Sequence, residues 1–139
     1  MLSSITDEVV DAFGQLLPQL SRSAPPLDAQ AIAAIAASPA ITVLLARGGD
    51  GGITGMLTLV MFRLPTGLRA RIEDVVVDEA FRGRGIGDEL TRAALRIAQA
   101  AGARTVDLTS RPSRAAAGRL YERAGFHQRD SRLYRYSFE

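Results

Sequence analysis

The sequence predicts an α/β (α+β) fold: one domain on a mixed, mostly antiparallel central sheet, with one parallel pair and helices on both faces. Three observations carry this. Residues 40–77 hold three β-branched segments joined by short turns, which predicts a strand meander. A strand–helix–strand unit comes next, and a crossover of that kind makes its two strands parallel. The segment ending "VVV" at Val77 is apolar on successive residues, the mark of a strand covered on both sides. A chain of 139 residues fits one domain. At this length folding buries roughly two-thirds of the unfolded surface, so no disulfide or metal staple is required.

Each element has its own signal. Residues 4–20 carry Ile5, Val9, Phe13, Leu16, Leu17 and Leu20 at helical spacing, with Thr6 or Ser4 as cap and Asp7 and Glu8 in the first turn. "SRSAPPLD" breaks that helix. A second runs from the cap Asp28 to Ala37 and ends at Ser38 and Pro39. "AITVLLAR" (40–47) is a strand, "GGDGG" (48–52) a tight turn, and "ITGMLTLVMFR" (53–63) its hairpin partner. "LRARIEDVVV" (68–77) is the third strand. A helix over 86–101 comes after it, with Ile86, Leu90, Ala94, Ile97 and Ala101 as its stripe. "RTVDLTS" (104–110) is a strand. Ser113 caps a helix through Ala124, and "FHQRDSRLYRYSF" (126–138) reads as a closing hairpin.

Composition narrows the chemistry. There is no cysteine, which excludes a disulfide framework, a thiolate zinc site and a cysteine nucleophile. The single histidine, His127, argues against a multi-histidine metal site, so no metal is expected. The formal charge is +2, and all 17 basic residues are arginine. That bias reflects genome composition, and the arginines are scattered along the chain, so no nucleic-acid partner is expected. "MLSSITDEVVDAF" has acidic residues where a signal peptide would have basic ones, and no apolar run approaches the ~20 residues that span a bilayer. A cytoplasmic protein without membrane contact is the expectation.

The segment between the third strand and the next helix asks for more than a turn. "FRGRGIGDEL" places Gly83, Gly85 and Gly87 at alternate positions among Arg82, Arg84, Ile86 and Asp88. The coming helix offers free N–H groups and the positive end of its dipole. Glycines there let an anion approach the backbone without meeting a Cβ, and guanidinium groups suit phosphate oxygens. These residues predict a phosphate or pyrophosphate site. The P-loop needs a lysine, which the chain lacks. The dinucleotide fingerprint G-x-G-x-x-G would need glycine at Leu90 or Asp88, so that reading fails on spacing.

"RGRGIG" (82–87) matches Q/R-x-x-G-x-G/A through Arg82, Gly85 and Gly87, and so resembles the acyl-CoA pyrophosphate loop of the GNAT superfamily of N-acyltransferases. "IEDVVVDEAFRGRGIG" looks like that family's fourth strand and loop, and "SRAAAGRLYERAGF" like its later helix, which commonly ends in L-Y-x-x-x-G-F. The likeness covers about residues 68–126. It implies a GNAT fold whose parallel pair is splayed, with pantetheine in the gap on the backbone of Val75, Val76 and Val77. The main chain of residues 82–88 would hold the pyrophosphate. Tyr121 corresponds to the tyrosine that protonates the departing thiolate, and a backbone N–H, that of Val75, to the group that polarises the thioester carbonyl. Glu73 is the candidate base, and Asp74 alternates to the other face. Arg114 stands where many members carry asparagine, and it or Arg111 could reach the 3′-phosphate of CoA. The family's first strand looks truncated or absent here, since only residues 1–3 precede the first helix.

The activity implied is direct transfer of an acetyl group from acetyl-CoA to a primary amine, with acetyl-CoA as cosubstrate. The alternative is a non-catalytic acyl-CoA sensor on the same fold. The acceptor, a small molecule or a protein amine, is not legible; Glu73, Asp74, Asp107 and Asp130 are the acidic candidates for its charge. A homodimer is a family-level expectation.

Overall fold

The computed structural model describes residues 1–110 and 115–138. They fall into two compact units, Met1–Thr109 and Ser110–Glu139.

The first unit holds the sheet. Helix α1 (Asp7–Leu20) starts at Thr6, whose hydroxyl accepts from the Val9 N–H at 3.3 Å. Helix α2 (Ala29–Ala37) is capped by Asp28, which accepts from Ala31 N–H at 2.8 Å. Strands β1 (Ile41–Arg47), β2 (Ile53–Leu64) and β3 (Gly67–Val77) pair antiparallel in sequence order. Helix α3 (Ile86–Ala100) then crosses over, and β4 (Thr105–Asp107) pairs parallel with β3. The sheet order is β1-β2-β3-β4.

The helices cover opposite faces, and β2 makes this explicit. A Cβ at Gly55 would meet the side chains of Ile86 and Leu90 on α3. Its neighbour Met56 is 2% exposed and packs in the core cluster with Val9, Phe13 and Leu16 of α1 and Ile32 of α2. Successive strand residues point to opposite faces, so α3 lies on one side and α1 with α2 on the other. The absence of a side chain at Gly55 is what lets the first turn of α3 approach the sheet.

Several boundaries differ from the sequence reading. The buried stripe of α3 is Leu90, Thr91, Ala94 and Ala98, while Ala101 is exposed. Thr91 is buried because its hydroxyl donates to the Gly87 carbonyl at 2.8 Å, which leaves only its methyl to pack. The predicted strand over 104–110 shrinks to Thr105–Asp107. No strand forms in residues 1–6, where the Leu2 N–H instead makes a single 2.8 Å bond to the Val43 carbonyl at the outer edge of β1.

The second unit holds α4 (Ala115–Arg123). The predicted cap Ser113 lies outside the described residues. The helix ends as "GF" leads one to expect: Gly125, at φ +104°, donates to the Glu122 carbonyl, and Phe126 N–H reaches back to the Tyr121 carbonyl at 3.0 Å. That pair of bonds is a Schellman cap. The predicted closing hairpin is absent: residues 126–138 contain no strand, and Leu133, Tyr134, Tyr136 and Phe138 are all exposed. Their alternation is that of a strand, but a hairpin without a third strand or a helix against it is marginal in water.

Candidate functional site

The site begins where β3 loses its second partner. The β3–β4 ladder is three pairs long, Arg69 with Thr105, Ala70 with Val106 and Arg71 with Asp107. Beyond Arg71, β3 remains registered with β2, where Thr58 faces Glu73, Met56 faces Val76 and Gly55 faces Val77. On its other side, residues 72–77 meet no strand among the described residues. This is an open strand edge inside a sheet rather than at its rim, with unpaired backbone groups ready for an extended ligand.

A bulge marks the same place. The β2–β3 register shifts between Met56 and Thr58, and Asp74 takes φ +50°, the only left-handed non-glycine residue among those described. Aspartate tolerates that region better than a branched residue. The bulge also corrects the expectation that Asp74 points away from Glu73. Glu73 shares a face with its cross-strand partner Thr58, and Asp74 lines the same cavity as Thr58. The extra residue breaks the period of two.

The two carboxylates have different surroundings. Glu73 accepts from Arg71 Nε at 3.0 Å, and Arg71 also donates to the Thr109 hydroxyl at 3.2 Å. Arg71 thus spans the opening between β3 and the segment after β4. The Asp74 carboxylate has no hydrogen bond or ion pair among the described residues. Burial, and secondarily the charge of Glu73, push its pKa above the ordinary aspartate value.

The glycine loop lies directly after this edge. Asp78, 6% exposed, starts a 3-10 turn (Glu79–Phe81) by accepting from Ala80 N–H at 3.1 Å. Gln15 Nε2 donates to its other oxygen at 2.8 Å, and Gln19 Oε1 accepts from Glu79 N–H at 2.9 Å. Two glutamines of α1 therefore fix the start of the loop. Gly83 and Gly85 take φ +81° and +79°, and a Cβ on either would meet nothing within 4 Å. The turn demands glycine, and the space in front of it is open. Gly85 is the N-cap of α3 with no side-chain cap. The N–H groups of Ile86, Gly87 and Asp88 have no acceptor among the described residues. Free N–H groups at a helix N-terminus favour negative charge.

The loop's charged residues are held. Arg82 Nε donates to the Val77 carbonyl at 3.3 Å, which occupies one of the groups on the strand end. The Arg84 guanidinium carbon lies 5.1 Å from the Phe81 ring centroid. Asp88 would repel an anion at this helix end, but Arg92 Nε pairs with it at 2.9 Å. Val75 and Val77 are half-buried, and Val76, 4% exposed, belongs to the core beneath α1.

In the second unit, Tyr121 is half-buried on α4 and packs edge-on against Phe126, ring centroids 5.9 Å apart. The Schellman cap brings Phe126 back over Tyr121, so the "LYERAGF" spacing orients the tyrosine. Arg111 and Arg114 lie outside the described residues. His127, Asp107 and Asp130 are exposed. Sequence reasoning missed the tethers from Gln15 and Gln19, which contact across distant segments leaves no local sign of. It also missed the bulge, for which the adjacent "ED" in a strand was the available signal.

The family and the fold are those of known proteins. Residues 4–126 match the model of the Acetyltransferase (GNAT) family. N-alpha-acetyltransferase 30 of Schizosaccharomyces pombe is 39% identical over 71 residues, which span 51% of this chain and 47% of that protein. The match thus covers about half the length of that curated relative. An acetyltransferase of Trypanosoma brucei superposes with a TM-score of 0.74 at 29% identity, over 94% of this chain and 96% of that one. A transcriptional regulator of Bacillus halodurans C-125 superposes with a TM-score of 0.78 at 26% identity, over 97% of each chain.

Proposed function

The chain belongs to the acetyltransferase (GNAT) family, and from that premise we propose that it moves an acetyl group from acetyl-CoA directly to a primary amine. The observation that carries this is the continuity of an open β3 edge with an uncapped, glycine-fronted helix N-terminus. The loop supports a diphosphate. The edge supports the amide-bearing arm attached to it in coenzyme A.

The chemistry comes from the residues. Main-chain N–H groups of residues 82–88, with Gly83 and Gly85 leaving room, bind the pyrophosphate; Arg82 and Arg84 add positive potential, and Arg114 or Arg111 reach the 3′-phosphate. Backbone groups of Val75 and Val77 align the pantetheine arm, while those of the alternate residue Val76, opposite Met56, are turned toward β2. The N–H of Val75 polarises the thioester carbonyl, as donors do in other acyl transfers. The acceptor ammonium first loses a proton to Glu73, directly or through one water. The amine nitrogen then attacks the carbonyl carbon, a C–N bond forms, and the C–S bond breaks. The electron pair leaves on sulfur, the Tyr121 hydroxyl supplies the proton that makes CoA a thiol, and the second proton that the nitrogen sheds as the amide forms returns to the phenolate through water. No covalent enzyme intermediate is needed, and the chain has no cysteine to form one.

A sensor reading competes, and one finding favours it: a related structure of similar size is a transcriptional regulator. Calorimetry with acetyl-CoA and a CoA-release assay across diverse amines separate the two. The enzyme binds acetyl-CoA at micromolar protein and releases CoA with some amines, more slowly in Tyr121→Phe and Glu73→Gln. A sensor binds it, releases none, and is indifferent to both substitutions. Failure to bind acetyl-CoA ends both readings.

A further inference from the structure

A cavity of about 180 Å³ opens on the α1–α2 face of the sheet. Phe13 and Leu17 of α1, Leu27 of the connecting loop and Met56 of β2 form part of its wall, with Thr58 and Asp74. Every other lining residue is apolar. The cavity therefore presents an apolar box with one hydroxyl and one carboxylate.

The carboxylate is unusual in three independent ways. Its backbone is held at φ +50° by the bulge, a conformation that non-glycine residues adopt at a cost. It has no ion-pair or hydrogen-bond partner among the described residues, although Glu73 beside it is paired with Arg71. It sits one residue before Val75, where the open edge of β3 runs toward the glycine loop. The side chain is exposed at the mouth of the apolar cavity, so a cation can reach a carboxylate that no protein group neutralises.

We propose that this cavity is the acceptor site and that it selects a primary ammonium carried on a single apolar body, with Asp74 as the residue that binds the ammonium. The transfer step rests on the proposed acetyl-CoA site, since Asp74 would bring the nitrogen beside Val75. Acceptors with several positive charges are disfavoured: one carboxylate is free, the other is held by Arg71, and the remaining wall offers no further anion. The same chemistry has two sources, a free arylalkylamine or a polypeptide whose first residue is apolar.

The test is calorimetric and does not depend on turnover. The full chain, with and without CoA, is titrated with 2-phenylethylamine, with a leucine-initiated tripeptide amide and with spermidine. At least one apolar probe binds tenfold or more tighter than spermidine, and the tighter of the two names the source. Asp74→Asn weakens that probe tenfold or more. Asparagine keeps the shape and tolerates the left-handed backbone, so the variant folds. Spermidine binding as tightly as both apolar probes, or unchanged affinity in Asp74→Asn, overturns the proposal. The CoA titration alone reports on the donor site, so loss of one reading is separable from loss of the other.

Discussion

Gln15 on α1 donates a 2.8 Å hydrogen bond to Asp78 Oδ2, joining the first helix to the loop after β3 across 63 residues of sequence. Asp78 is buried, and a buried carboxylate left without donors is costly. A hydrogen bond to a charged group is worth about 1.5–3 kcal/mol. Gln15→Ala is expected to lower stability by about that amount, read as a fall in the urea midpoint at unchanged m-value. It should also weaken acetyl-CoA binding, because Asp78 starts the turn that leads into the glycine loop. Unchanged stability would mean that Ala80 N–H alone satisfies the carboxylate.

Gly85→Ala tests the loop itself. The left-handed backbone costs an alanine roughly 1–2 kcal/mol, and the new methyl enters open space rather than protein. Stability therefore falls modestly, while acetyl-CoA affinity by calorimetry falls more than tenfold. Equal affinity in the variant would show that the anion binds elsewhere.

Asp74 gives a pH prediction. Its pKa in the folded chain lies above the ordinary value because burial, and then Glu73, oppose its charge. The folded state thus holds the proton more tightly than the unfolded state. Asp74 favours folding when protonated, and that advantage is lost as pH rises from the unfolded value through the folded one. Asp74→Asn should then unfold at higher temperature than the parent at pH 7. Below the ordinary aspartate value, about 3.9, the gain should disappear. A variant less stable at pH 7 would place a favourable partner on the Asp74 carboxylate.

Much of this was legible in the chain because it is locally encoded. Thr6 and Asp28 cap α1 and α2 as read, since a cap is decided within four residues. The meander and the crossover are set by periodicity and turn residues. "RGRGIG" and "LYERAGF" announce a glycine-fronted helix start and a helix stop in their own glycine spacing. The departures are long-range. The shortness of β4, and with it the open edge of β3, depends on where two strands part. The side of Asp74 depends on a bulge that shifts the register between Met56 and Thr58. Residues 126–138 carry a strand's alternation, but alternation cannot supply a partner.

The last prediction concerns how Tyr121 is held. Phe126 packs edge-on against its ring at 5.9 Å, and Phe126 N–H and Gly125 N–H close the helix on the Tyr121 and Glu122 carbonyls. Two substitutions separate the hydroxyl from its support. Tyr121→Phe keeps the ring contact and removes the proton donor. It should lower kcat while leaving the KM for acetyl-CoA near its parent value, because protonation occurs after binding. The loss should be modest, since a thiolate leaves readily without help, and it should shrink with an acyl donor whose thiol is more acidic. Phe126→Ala keeps the hydroxyl and frees the ring. An aromatic pair of this kind is worth about 0.5–1.5 kcal/mol beyond area, so α4 should be less stable and kcat should fall without the sensitivity to leaving-group acidity. If both variants respond alike to the leaving group, Tyr121 acts through packing, and the proton reaches sulfur from water.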